Sequence, residues 1–267
     1  EIIIELLKSG SKITERTRTG MTPLLFAAQN NTNPEVIKIL LKAGANISDR
    51  DEFSMTPLMH AAQKNKNPEV ITVLLNNGAK VSEQHGSSMT PLMFAAMNNE
   101  NPEVILALLK AGASVITTDN WRKTPLMFAA ENNTNPEVII TLLQAGASVT
   151  DQDKKKTTPL MFASENNRNP EVIRVLLEAG ASVKDRDVYG QTPLMYGAWG
   201  NSNLDVIKIL LKAGASVAER DEDGFTPLMS AAKSNKNPDV ILFLLQAGSD
   251  GKRSEERRVG KECRSRW

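Results

Sequence analysis

Two histidines, one cysteine and scattered acids are the side chains of this 267-residue chain that could do chemistry by themselves. His60 falls at an apolar position of a helical pattern and His85 stands just before Gly86, and no shared motif joins them. A histidine at a core edge or in solvent accounts for both better than a catalytic base. Adjacent acids such as Glu222-Asp223 read as solvated charge on a turn. The single Cys263 excludes an internal disulfide and any cysteine-based zinc cluster, and two histidines are too few for a His-rich metal site. No Gly-rich phosphate loop, Gly-x-Ser-x-Gly elbow or His-Glu-x-x-His helix occurs. The chain therefore reads as non-enzymatic, with no cofactor and no metal expected. Asn30-Asn31-Thr32, Asn46-Ile47-Ser48 and Asn132-Asn133-Thr134 match the glycosylation acceptor pattern. Asn-rich loops produce such matches by chance, and they matter only in a secretory compartment.

The elements that would position these residues are set by proline. All 13 prolines fall in two contexts. Pro23, Pro57, Pro91, Pro125, Pro159, Pro193 and Pro227 sit in Thr-Pro-Leu, 34 residues apart. Pro34, Pro68, Pro102, Pro136, Pro170 and Pro238 follow Asn and precede Glu or Asp, with Leu204 standing in the remaining copy. A fixed period in this range marks a repeat array. Within one period, Thr56-Pro57 predicts an N-cap and first helical residue, and Leu58, Ala61 and Ala62 a short apolar stripe. Asn65-Lys66-Asn67 breaks the stripe, one Asn taking a left-handed conformation and Asn67 capping the second helix. Glu69 opens that helix, Val70, Ile71, Leu74 and Leu75 give its buried face, and Gly78 ends it. Helices this short do not persist alone in water, so each unit must stack on its neighbours.

Composition agrees. Hydrophobic residues make up 40% and charged residues 24%, too apolar for disorder, while 4% aromatic is too few rings for one large core. The longest apolar runs, such as Val104–Leu109 and Val240–Leu245, are far shorter than the roughly 20 residues a membrane helix needs, so no membrane insertion is expected. Residues 251–267 carry 7 Lys/Arg against 3 Asp/Glu, leaving residues 1–250 at net −3.

Thr124–Ala130 (Thr-Pro-Leu-x-x-Ala-Ala) and Glu137–Ala147 (Glu-Val-Ile-x-x-Leu-Leu-x-x-Gly-Ala) strongly resemble the ankyrin repeat, with the family's acid before Thr-Pro at Asp51, Asp119, Asp153, Asp187 and Asp221. The resemblance implies an all-α solenoid of stacked helix–turn–helix repeats with β-hairpin or long-loop tips. It covers residues 1–250: a half repeat 1–21, then repeats starting at 22, 56, 90, 124, 158, 192 and 226. Met59, Met93, Met127, Met161, Met195 and Met229 replace the family's histidine, and packing between repeats explains a fixed helical column better than an adaptable binding strip. The tip glycine survives at Gly20, Gly190 and Gly224; Ser54, Ser88, Arg122 and Lys156 replace it elsewhere, so those turns are expected to differ in backbone conformation. Glu1–Gly10 aligns with Glu35–Gly44, which implies that the chain opens inside a second helix. Residues 251–267 match no repeat and read as a disordered, non-native tail resembling vector read-through.

In the family, partners dock on the concave face made by the tips and first helices. Carried over by register, the variable positions here include Phe53, Met55, Met89, Trp121, Arg122, Lys123, Lys154, Lys155, Lys156 and Tyr189, with Trp199 added from a first helix. Aromatic rings beside Lys and Arg have the composition of interface anchors. The alternative is that each ring packs on its own hairpin, and that Trp199 fills the gap left by Gly197 and Gly200. The expected function is a protein–protein interaction module for another protein or peptide, with an acidic partner complementing the lysines and the chain itself a monomer. A targeting or scaffolding segment of a larger enzyme or channel is the second class. Nucleic-acid or acidic-ligand binding through Arg122, Lys123 and Lys154–Lys156 is the third, weakened by the net −3 body. The absence of structural cysteines favours the cytoplasm.

Overall fold

Each first helix begins at a threonine with extended backbone: Thr56 has φ −89° and ψ 165°, and its Oγ1 accepts the Met59 N–H at 3.3 Å. Proline follows at the first helical position, where a missing N–H breaks no bond. Each second helix begins at an asparagine, as where Asn67 Oδ1 accepts the Glu69 N–H at 2.9 Å, with the acid in the first turn facing the positive helix end. The second helices end on glycine in the left-handed region; at Gly112, φ is 90° and the Gly112 and Ala113 N–H groups close back on Leu109 O and Leu108 O.

The computed structural model describes residues 12–248. The expectations for Glu1–Gly10 and for the tail at 251–267 lie outside them. Two compact units divide the chain, Glu1–Lys154 and Lys155–Trp267. The first carries α1 (Pro23–Asn30), α2 (Pro34–Lys42), α3 (Pro57–Lys64), α4 (Pro68–Asn76), α5 (Pro91–Asn98), α6 (Pro102–Lys110), α7 (Pro125–Asn132) and α8 (Pro136–Gln144). The second carries α9 (Pro159–Asn166), α10 (Pro170–Glu178), α11 (Pro193–Gly200), α12 (Leu204–Lys212) and α13 (Pro227–Ser234), and residues 238–248 are also helical. No strand occurs among the described residues, so the tips are turns.

In the first unit α1, α3, α5 and α7 pack in a row, and α2, α4, α6 and α8 form a second row against them. In the second unit α9, α11 and α13 make one row, with α10 and α12 packed together and against their first helices. Alanine pairs such as Ala61-Ala62 and Ala95-Ala96 are fully buried where first helices approach. Met59, Met93, Met127, Met161 and Met195 are buried, each fully buried side chain of this kind contributing roughly 1.5–3 kcal/mol. The methionine column is packing; only Met229, on α13, is exposed.

The asparagine linkers correct one expectation. Among the described residues no asparagine takes the left-handed conformation; Asn65 is extended at φ −77°. Its buried amide instead crosses to the preceding linker, donating to Ala28 O and Asn31 O at 2.9 Å each, while its Oδ1 accepts the Asn67 N–H at 3.0 Å. Asn99 repeats this with Ala62 O and Asn65 O, and Asn235 with Ala198 O and Asn201 O. A left-handed backbone would turn the side chain away from these carbonyls. Pairing both groups of a buried amide outweighs the local preference.

Candidate partner-binding tips

A single carboxylate builds each of the tips that carry Phe53, Trp121 and Tyr189. Asp119 Oδ1 accepts from the Trp121 N–H at 2.8 Å and the Lys123 N–H at 2.7 Å, and the Arg122 N–H donates to Asp119 O at 3.0 Å. Asp51 does the same for Phe53, Met55 and Ser54, and Asp187 for Tyr189, Gln191 and Gly190. At residues 85–89 His85 takes the aspartate's place: its Nδ1 lies 3.3 Å from the Ser87 N–H, and its ring stands edge-on to Phe94 at 5.7 Å. The residue third before each Thr-Pro is thereby held outward. Phe53 is 62%, Trp121 63% and Tyr189 55% exposed, so these rings do not bury themselves on their own turns.

The backbone angles overturn the expectation that the non-glycine turns differ. Ser54, Ser88, Arg122 and Lys156 hold φ between 61° and 65°, in the left-handed region that Gly20, Gly190 and Gly224 occupy at 76°, 76° and 81°. The tip geometry is imposed whatever the residue. A side chain there costs about 1–2 kcal/mol relative to relaxed backbone.

What holds the turn from outside does differ. Arg16 Nη1 donates to Gly20 O at 2.9 Å and Arg50 O at 2.8 Å, while its Nη2 meets Asp49 at 2.7 Å. Arg50 caps Ser54 O and pairs with Glu83. In the second unit Arg186 caps Gly190 O and Arg220 O and pairs with Glu219, and Arg220 caps Gly224 O. Gln84, Thr118 and Gln152 stand at this position in the other three tips. Backbone bonds join successive tips: Asn120 N–H to Ser87 O and Lys154 N–H to Trp121 O in the first unit, Val188 N–H to Lys155 O and Glu222 N–H to Tyr189 O in the second.

The candidate residues divide between the units. Phe53, Trp121, Arg122, Lys123 and Lys154 belong to tips of the first. Met55 is buried against Met59 and Phe94 with half-buried Met89 beside it, so these two form the apolar floor of their tips. Lys123 is pinned to Glu131 at 2.8 Å and lies 5.4 Å from the Phe128 ring. Lys154 Nζ lies 5.8 Å from the Trp121 ring. In the second unit Lys155, Lys156 and Tyr189 are exposed. Trp199 there is 38% exposed with Lys233 Nζ 5.0 Å from its ring, and Lys233 is also 5.1 Å from Phe225. The space at Gly197 is taken by Ile207 Cδ1 and Leu210 Cδ1 from α12, and Glu165 Cγ lies against Gly200.

Sequence reasoning missed two side-chain pairs beneath the tips, one buried and one half-buried. His60 Nε2 lies 2.9 Å from Asp51 Oδ2, and its Nδ1 lies 3.1 Å from Gln29 Nε2. Burial holds this imidazole below its usual range, against the upward pull of Asp51. In the equivalent position Tyr196 donates its hydroxyl to Asp187 Oδ2 at 2.9 Å, and burial plus that carboxylate push the phenol upward. The common spacing from tip acid to helix side chain was the available signal. Both pairs brace the turn. Among the described residues no three His, Cys, Asp or Glu side chains converge as a metal site would require, and no helix is long and apolar enough to cross a membrane.

The model for ankyrin repeats in sets of three copies matches residues 1–85, 58–153, 133–221 and 189–254. Among solved structures, the crystal structure of the human ASB11 ankyrin repeat domain is similar at a TM-score of 0.73 and 27% identity, covering 85% of this chain and 98% of that one. No curated protein matches the chain.

Proposed function

The chain belongs to the ankyrin repeat family, and we propose that it is a non-enzymatic module that binds a partner protein or peptide on its tips and first helices. Ankyrin repeats are in general protein-interaction modules. The observation that carries the reading is the set of outward rings, Phe53 and Trp121 in the first unit and Tyr189 in the second, held on turns by buried aspartates. An exposed aromatic ring is the kind of anchor on which interface energy concentrates. The turn beneath it is already hydrogen-bonded, so less backbone order has to be lost on binding. Lys154 by the Trp121 ring and exposed Arg122 in the first unit, and exposed Lys155 and Lys156 in the second, favour a partner surface carrying acidic groups among apolar ones. Lys233 over Trp199 gives a cation–ring pair of the same composition on α11 and α13.

A selection from a random displayed peptide library on the whole chain tests this. Peptides enriched on the wild type are expected to lose binding to the triple variant Phe53→Ala, Trp121→Ala and Tyr189→Ala. Undiminished binding to that variant, at unchanged unfolding temperature, places the interface elsewhere.

A further inference from the structure

We propose that Trp121, Arg122 and Lys154 form one carboxylate-reading site for an acidic, partly apolar peptide of the partner, an inference that rests on reading the tips as the interaction surface. Arg122 is the first observation. It holds φ 65° where three other tips use glycine, so its side chain is kept against a backbone cost. Ser88, at the same register, returns a structural contact, its Oγ donating to Asn120 Oδ1 at 2.8 Å. The Arg122 guanidinium returns none: among the described residues it makes no hydrogen bond and has no carboxylate within 4.0 Å.

The second observation is charge. Lys123, next in the chain, is neutralised by Glu131. Lys154 has no carboxylate partner among the described residues, and its ammonium lies by the face of Trp121 at 5.8 Å. Two cations without a carboxylate partner among the described residues therefore adjoin Trp121, Lys154 by its exposed ring and Arg122 next to it in the chain. Arg offers a planar fork that matches a carboxylate with two parallel N–H donors, and Lys adds a point charge.

The third observation is the open carbonyl. At residues 17–21 and 51–55 an arginine caps the oxygen of the left-handed residue, Gly20 O and Ser54 O. Thr118 stands where that arginine would come from, and Arg122 O accepts no hydrogen bond among the described residues. The tip thus presents an acceptor for a peptide N–H, a fork for a carboxylate and a ring for an apolar side chain. An extended peptide with an acid close to an aliphatic residue supplies all three.

The test compares peptide pools selected on the whole chain from a random displayed library. The wild-type pool is expected to be enriched in Glu and Asp near Leu, Ile or Val. Synthetic copies should bind Arg122→Gly about tenfold more weakly or worse, a loss of the size seen for an interface hot spot. Arg122→Lys should fall between, keeping charge without the fork, and Lys154→Ser should slow association and flatten its salt dependence. Glycine already occupies this register at Gly190, so Arg122→Gly folds, which its thermal unfolding verifies. Acid-rich peptides that bind Arg122→Gly and Lys154→Ser as well as wild type overturn this site. Peptides without acidic enrichment that still need Phe53 or Tyr189 overturn it while leaving the tips as the interface. A library yielding nothing above background overturns both.

Discussion

The turns at 119–123 and 187–191 have one backbone and two ways of supporting it. In each, a buried aspartate accepts two N–H groups and drives the fourth residue into the left-handed region. At 187–191 that residue is Gly190, its carbonyl is capped by Arg186 at 2.6 Å, and the same guanidinium reaches Arg220 O and Glu219. At 119–123 it is Arg122, and Thr118 replaces the capping arginine. One tip spends its arginine on holding the turn; the other carries an arginine pointing to solvent. Thr17 and His85 open two other tips with the same left-handed fourth residue. The difference therefore teaches that the turn is set by the bonds to its first residue, an aspartate in these two, and that the fourth position is free to serve either stability or recognition.

The largest expected effect is one the two regions should share, which confines the comparison to the tips. Asn99→Ala and Asn201→Ala each remove a buried amide that ties neighbouring linkers together. Each should lower unfolding stability by about 3 kcal/mol, because carbonyls and an N–H are left unpaired. Denaturant unfolding of the two variants measures this. Unequal losses would show that the difference between the regions reaches the helices.

The arginine caps come next. Arg186→Ala should cost about 0.5–1 kcal/mol, the scale of a partly exposed ion pair with added hydrogen bonds. Thr118→Ala should stay within about 0.5 kcal/mol of the parent. Unfolding midpoints compared in low and high salt sharpen the contrast, since only the Arg186 effect should shrink as salt rises.

The smallest effect is a slope with pH. His60 and Tyr196 brace equivalent tips, and burial holds the His60 imidazole below its ordinary 6.5. Its folded value lies below the unfolded 6.5, so below that pH the unfolded chain binds more protons. Stability should therefore fall as pH drops through about 6.5, and level off below the folded value. His60→Tyr should remove that part of the slope. An unchanged slope would assign the acid sensitivity to other groups.

The helices, their caps and their stacking were legible because Thr-Pro-Leu and Asn-Pro-Glu set both helix starts at a fixed period, and helices so short require neighbours. The left-handed residues were not. Ser54 and Arg122 have side chains that argue against that backbone, and only the Asp hydrogen bonds, invisible as a local propensity, decide it. Asn65 misled in the opposite way: its type favours a left-handed cap, but its partners lie one repeat back in the chain. For the candidate site, the outward rings were readable from register, because the scatter of types at Phe53, Trp121 and Tyr189 interrupts an otherwise uniform repeat. The division between pinned Lys123 and unpaired Arg122 was not, because it depends on where Glu131 reaches from α7. The arginine column at Arg16, Arg50, Arg186 and Arg220 stood in plain view and would have marked which tips are capped.

The most direct test of the account is a reciprocal exchange at the left-handed position. If the aspartate imposes the turn and the side chain bears the cost, Arg122→Gly should raise unfolding stability by roughly 0.5–1 kcal/mol, the backbone relief being partly offset by the greater freedom of glycine in the unfolded chain. Gly190→Arg should lower it, and by more, since its Cβ would meet Glu222 N at 3.2 Å. Opposite signs in equilibrium denaturation of the two variants are the predicted result. A loss of stability in Arg122→Gly, or no change in either variant, would contradict the claim that these two turns are set by the bonds to Asp119 and Asp187 and not by the residue at the left-handed position.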